Sequence, residues 1–249
     1  MNTRRRNNYE IILGEQEYFT TPLLSNSIKN ALTQIGEPTP DARVLDIGAG
    51  ECPLRPILEE MGYEYSSLDI GQNRGGTINF VSRIDGVLPE QLVSAGGFDL
   101  LILTEVLEHV PDWEIAFSNL VKLLKTGGHC IITTPFFYML HEEPHDFWRP
   151  TDHALRFFAE RHGLEVAYSQ RNGEGWDVLG TLLCSTSVCR KEKGWLAYTA
   201  LLPVWVVHRM LKWFFKSHVF KNLLNFQMRY YLSNSFVLKR IENTRKNHE

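Results

Sequence analysis

The stretch VLDIGAGECP, residues 44–53, sets two glycines, Gly48 and Gly50, at the end of an apolar run. Glycine has no Cβ, so a turn built on it lets the backbone come close to a ligand. Asp69 closes a second apolar run about 20 residues on, where a carboxylate can accept both hydroxyls of a ribose. A turn and an acid at this spacing serve a nucleoside-containing cofactor. The dinucleotide fingerprint G-x-G-x-x-G would put a third glycine at position 53, where this chain has Pro53. Close helix–strand packing through that glycine is lost, which disfavours nicotinamide binding.

A second cluster is HEEPHDFWRPT, residues 141–151. His141 and His145 suit a general base acting on a hydroxyl, because histidine titrates near neutral pH. Arg149 is suited to hold an anionic part of an acceptor. It is equally suited to pair with Asp146 in a purely structural loop. His109, in EVLEHV, is another candidate base, or a residue that orients its loop. Two histidines and several carboxylates so close in sequence raise the question of a metal. Pro144 breaks any helix that would stack His141 and His145 at i,i+4, so no metal is expected.

The elements that must position these residues alternate. Short apolar strands are predicted at 43–47, 65–69, 78–81, 98–103, 129–134, 164–168 and 235–239. Helical faces are predicted after Pro53, over 113–124 with Gly127-Gly128 as the stop, and over 151–162 with Thr151 or Asp152 at the N-cap. Near-continuous apolar strands mean a sheet buried on both faces, and their alternation with helices means a parallel α/β sheet. The histidines after the fifth strand then lie at the carboxyl edge, where ligands bind in open α/β sheets.

With these motifs in place, residues 40–172 resemble the class I S-adenosylmethionine-dependent methyltransferases. VLDIGAG resembles the family's first motif and SLDI, with Asp69, its second. FDLLILTEVLEHVPD, residues 98–112, resembles its fourth, and LKTGGHCIITTPF the segment around its fifth strand. Cys52 stands where the family often has a further glycine. The resemblance implies a Rossmann-like, mostly parallel seven-stranded sheet of order 3-2-1-4-5-7-6 flanked by helices, with strand seven antiparallel. It implies that Asp46, Gly48, Ala49 and Gly50 line the amino-acid end of S-adenosyl-L-methionine. Asp69 would hold the ribose, Ile70 would flank the adenine and Asp85 would face its edge. Thr104 and Glu105 would close the pocket. The HEEPHDFWRxT string is similar to a branch linked to glycan and glycolipid biosynthesis. The expected reaction is therefore O-methylation of a sugar or lipid-linked glycan, with a quinone or other lipid-soluble small molecule as the alternative acceptor. A catalytically silent, membrane-associated scaffold of the same fold would have no need of Asp46, Gly48, Gly50 and Asp69.

Composition frames the rest. At 249 residues and 43% hydrophobic, 22% charged, the chain is neither fibrous nor disordered, and one domain over 1–249 is expected. The net charge of -3 hides an asymmetry: residues 1–189 hold 14 Lys+Arg against 26 Asp+Glu, and residues 190–249 hold 12 against 3. Residues 174–232 are read as an apolar, basic helical insertion before the last strand. Within it, Lys212, Lys216 and Lys221 interleave with Trp213, Phe214, Phe215 and Phe220. Basic residues beside large aromatics suit a helix at a membrane interface, so residues 195–231 are expected either at an anionic membrane surface or as a lid or homodimer element. The segment is too apolar for nucleic acid. No apolar signal region follows the N-terminal basic cluster, and the four cysteines match no zinc spacing. A cytoplasmic protein, peripheral at the inner face of the membrane, is the expectation.

Overall fold

The computed structural model describes residues 17–185, 195–223 and 229–242. The basic cluster Arg4–Arg6, Cys189, Phe226 and the tail 243–249 lie outside them.

Seven strands form one sheet: β1 (Arg43–Ile47), β2 (Glu64–Asp69), β3 (Phe80–Val81), β4 (Phe98–Thr104), β5 (Leu124–Pro135), β6 (Leu164–Asn172) and β7 (Ser233–Arg240). Their order is β3-β2-β1-β4-β5-β7-β6, as the resemblance implies. β7 runs antiparallel to both β5 and β6, and the other pairings are parallel. Among the described residues eight α-helices accompany them: α1 (Thr20–Ile35), α2 (Arg55–Glu60), α3 (Glu90–Ala95), α4 (Trp113–Leu123), α5 (Asp152–Arg161), α6 (Gly175–Ser185), α7 (Trp195–Lys216) and α8 (His218–Leu223).

The central strands are apolar throughout because both faces of the sheet are covered. Successive residues of β4 enter opposite cores: Leu101 and Leu103 join Leu45, Phe117 and Leu120 on one side, while Leu100 and Ile102 join Val44, Ile28 and Leu58 on the other. Each such side chain, fully removed from water, contributes about 1.5–3 kcal/mol. The caps follow the sequence. Asp112 accepts from the Ile115 amide at 3.0 Å to start α4, and Thr151 from the Ala154 amide at 3.2 Å to start α5.

Two features depart from the local pattern. Gly127-Gly128 does not stop α4; the helix ends at Leu123 and both glycines lie within β5. A Cβ on Gly128 would come within 3.0 Å of the Asp99 carbonyl, so the glycine lets β5 draw close to β4 where their register shifts. Ahead of β1, helix α1 buries Leu24, Ile28, Ala31 and Leu32 against the sheet, although periodicity had not marked it. The ring of Phe19, just before α1, sits where a Cβ on Gly180 of α6 would lie, at 2.4 Å.

Helices α6 to α8 fill the sequence between β6 and β7. Three lysines expected to meet anionic headgroups turn toward the protein instead. Lys212 and Lys216 stand over the Tyr18 ring, and Lys221 Nζ pairs with Asp177 at 2.5 Å. Val206, Val207, Met210 and Trp213 face outward from α7. Among the described residues no helix is long and apolar enough to cross a membrane.

Candidate functional site

The glycine turn leaves β1 at the carboxyl edge of the sheet. Gly48 (φ +71°) donates its amide to the Leu68 carbonyl at 2.8 Å, tying the turn to β2. Gly50 (φ +55°) donates to Asp69 Oδ2 at 2.7 Å, and Asp69 Oδ1 accepts from the Ile70 amide at 2.7 Å. Asp69 thus clamps the turn as well as presenting its remaining lone pairs. A Cβ on Gly50 would meet nothing within 4 Å, so bare backbone faces open space there. Ala49 is buried beneath the turn, and Ile70 stands 74% exposed beside Asp69, a flat apolar shelf at its rim. Cys52 adopts φ +55°, a left-handed conformation that favours glycine.

Asp46 is 2% exposed and accepts from Tyr65 Oη at 2.8 Å. Burial pushes its pKa up to about 7; the Tyr65 hydrogen bond opposes this and the Asp69 charge adds to it. A buried acid held near neutrality, an open glycine backbone and a second acid on β2 fit a ligand that is cationic at one end and a nucleoside at the other. S-adenosylmethionine, with its ammonium and sulfonium, has that form.

The Asp46 shift has a signed consequence. An acid whose folded pKa is raised holds its proton in the native state after the unfolded chain has lost it. Its stabilising contribution is therefore complete below pH 3.8 and is lost as pH rises to about 7. Asp46→Asn is expected to remove this slope, about 1.4 kcal/mol per pH unit at most. Denaturant unfolding of cofactor-free wild type and variant across that range checks it. Parallel curves would show that Asp46 does not titrate there.

The other cofactor candidates are spread along the same edge. Glu105, just past β4, has φ +55°, and its amide donates to Thr133 Oγ1 at 3.1 Å. Thr104 ends β4 opposite Thr133. Asp85 is held by both Arg83 Nε and Nη2 at 2.9 Å, in the turn before α3, with its side chain 5% exposed. That pairing makes Asp85 first a turn residue.

The histidine cluster assembles differently from its spacing in sequence. His109 lies in a 3-10 turn, Leu107–His109, after β4, and His141 in the loop after β5; their rings meet edge to face with centroids 4.8 Å apart. Between them sits Glu108, fully buried. Burial and the Glu105 charge hold its carboxyl well above the usual range. Burial also lowers His141, against the pull of Asp146. Sequence reasoning passed over Glu108. The signal was there in EVLEHV, a carboxylate beside a histidine within an otherwise apolar turn. His145 is exposed, and its contribution to the cluster is its carbonyl, which lies 2.8 Å from His109 Nδ1.

Arg149 is the strap of this loop. Its five N–H groups go to Asp146 twice, at 2.6 Å each, and to the carbonyls of Tyr138, Met139 and Trp148. No donor of Arg149 is left over for an anionic acceptor in this arrangement, and the structural pairing with Asp146 is the one formed. Next to the cluster, Phe137, Tyr138, Met139, Thr181, Leu182 and Ser185 line a partly open, mainly apolar cleft of about 160 Å³. Tyr138 connects the two, with its ring 5.3 Å from that of His141.

Comparison with known proteins agrees with this geometry. The family described as methyltransferase domain matches residues 21–174. The ubiquinone biosynthesis O-methyltransferase of Paramagnetospirillum magneticum is 32% identical over 92 residues, 34% of this chain and 37% of its own. That of Xanthomonas axonopodis is 30% identical over 102 residues, 37% of this chain and 43% of its own. The chain thus spans about two-fifths of the curated relatives it matches. Among solved structures, a putative sarcosine dimethylglycine methyltransferase from Galdieria sulphuraria superposes with a TM-score of 0.55 at 12% identity, covering 95% of this chain and 94% of its own. Phosphoethanolamine N-methyltransferase 2 of Haemonchus contortus, bound to S-adenosyl-L-methionine, gives 0.52 at 15% identity over 94% of this chain and 60% of its own. From the strand order, the glycine turn with its two acids and the match over most of the sheet, it follows that this chain belongs to the methyltransferase domain family and has the fold of its class I members.

Proposed function

We propose that the chain methylates a hydroxyl on a lipid-soluble, quinone-type aromatic acceptor. The observation that carries this reading is the mainly apolar cleft beside the histidine cluster, lined by Phe137, Tyr138, Met139 and Leu182 with the hydroxyls of Thr181 and Ser185. A sugar or lipid-linked glycan, the other acceptor read from the sequence, asks for polar side chains with donors to spare, and Arg149 has none. The name carried by the relatives, ubiquinone biosynthesis O-methyltransferase, supports the same choice. The outward apolar strip of α7, Val206, Val207, Met210 and Trp213, supports delivery of such an acceptor from a lipid phase.

S-adenosylmethionine supplies a methyl group carried on a positively charged sulfur. The chain's own part is to orient and to dry the site, and orientation alone is worth several kcal/mol, on the order of 7–11 in the best cases. Asp46, Gly48, Ala49 and Gly50 take the amino-acid end, and Asp69, Ile70 and Asp85 the nucleoside. Thr104 and Glu105 close the edge. The acceptor hydroxyl lies toward His109 and His141, with His145 at the rim to pass its proton to water. The test is a methyl-transfer assay with hydroxylated quinols and with glycolipids as parallel acceptors. Turnover with the quinols alone is expected; turnover with the glycolipids alone would overturn the acceptor assignment.

A further inference from the structure

We propose that Glu108, His109 and His141 bind one divalent transition-metal cation at the acceptor end of the site. Each offers one ligand atom, and the three atoms lie within 4.8 Å of one another. His109 Nε2 stands 3.8 Å, and His141 Nε2 4.0 Å, from Glu108 Oε1. Ligand atoms about 2.1 Å from a shared zinc lie about 3.4 Å apart, so closures of about half an ångström to Glu108 and up to about 1.4 Å across the widest pair bring the three onto one ion.

Three independent features point at a ligand there. Glu108 is fully buried, and neither carboxylate oxygen has a hydrogen-bond partner among the described residues. Such an acid is costly to bury and is relieved by a cation. Both imidazoles are oriented from behind. His109 Nδ1 lies 2.8 Å from the His145 carbonyl, which only accepts, so its proton is on Nδ1 and the Nε2 lone pair faces Glu108. His141 Nδ1 lies 3.2 Å from Asp146 Oδ2. Arg149 Nη2 is also 3.4 Å from that nitrogen, but its two N–H groups are spent on Asp146 and the Met139 carbonyl. His141 is thus held from behind by the Asp146–Arg149 pair, with its Nε2 turned toward Glu108. A carboxylate or carbonyl behind each histidine is the usual support of imidazole ligands to metals. Finally, the histidine side chains remain 20% and 28% exposed, which leaves the cation open positions for water or a hydroxyl.

Two imidazoles and one carboxylate select zinc, manganese, iron or cobalt over calcium or magnesium. A hydroxyl bound in an open position would lose its proton at lower pH. That step rests on the proposed acceptor; the cation site itself does not. Pro144 forbids a helical pair of His141 with His145, but the fold pairs His141 with His109 instead.

The experiment is titration of chelator-treated full-length protein with Zn²⁺ and with Co²⁺, with S-adenosylmethionine binding as the check on folding. One equivalent per chain and cobalt ligand-field bands are expected. Glu108→Gln and His141→Ala are expected to weaken binding at least a hundredfold, and Asp146→Asn about 10–100-fold. Absence of stoichiometric binding to wild-type protein that still binds S-adenosylmethionine would overturn the proposal, as would unchanged binding in folded Glu108→Gln and His141→Ala. Should those variants fail to fold, electron-spin-echo spectra of wild type loaded with Cu²⁺ decide: two coordinated imidazoles support the site and none refutes it. Because no acceptor is present, a failed acceptor screen leaves this outcome untouched.

Discussion

Asp69→Ala is expected to weaken S-adenosylmethionine binding by at least about a hundredfold while leaving the chain folded. Asp69 performs two tasks at once. Its Oδ2 accepts from the Gly50 amide at 2.7 Å and so sets the end of the turn, and its free lone pairs are the proposed ribose acceptors. Hydrogen bonds to a charged group contribute about 1.5–3 kcal/mol each, so losing two at the ribose already exceeds a hundredfold. Loss of the clamp on Gly50 adds to that. The stability cost is small, because Asp69 ends its strand at a partly exposed position where water can solvate the freed amide. Asp69→Asn keeps an acceptor for Gly50 and is expected to fall between the two. Calorimetric titration of the three proteins decides it; equal affinity in folded Asp69→Ala would remove Asp69 from the cofactor site.

The second large effect separates two glycines that look alike in sequence. Gly48→Ala is expected to destabilise the fold by about 2–5 kcal/mol. The left-handed backbone costs an L-residue about 1–2 kcal/mol, and overpacking about 1–3 more. The new Cβ would stand 2.4 Å from Val106 Cγ2 at φ +71°. Gly50→Ala carries only the first cost, because its Cβ would enter open space. That space is the proposed cofactor surface, so Gly50→Ala is expected to lose binding far more than stability. Denaturant midpoints and cofactor titrations on both variants test the contrast. If Gly50→Ala bound normally, the open backbone at that turn would not be where the cofactor approaches.

The parts of this protein legible from the chain are those whose physics is local. A strand buried on both faces must be apolar throughout, so β1, β4 and β5 are visible as runs. A glycine turn followed by an acid at the end of the next strand is a pattern of short range, and Asp46, Gly48, Gly50 and Asp69 all meet at one edge as their positions imply. Helix α1 was not visible, because its buried face is defined only by the sheet it covers. Gly127-Gly128 carries a helix-stop signature, yet the requirement that β5 approach Asp99 overrides it.

The histidine cluster shows where that locality ends. Arg149 and Asp146 are neighbours in the chain and pair as their spacing allows, but the partner of His141 across the site is His109, brought from after β4 by the parallel order of β4 and β5. Which way Lys212, Lys216 and Lys221 point is likewise set by Tyr18 and Asp177, distant in sequence, and whether Arg149 has a donor to spare is set by how its own loop folds three backbone carbonyls onto it. Sequence by itself determined the fold class, the glycine turn and the edge of the sheet at which the proposed chemistry lies, since periodicity and turn chemistry act over a few residues. Tertiary structure alone decided which acid is buried between which histidines, because burial and the direction of a lone pair exist only once distant segments have packed.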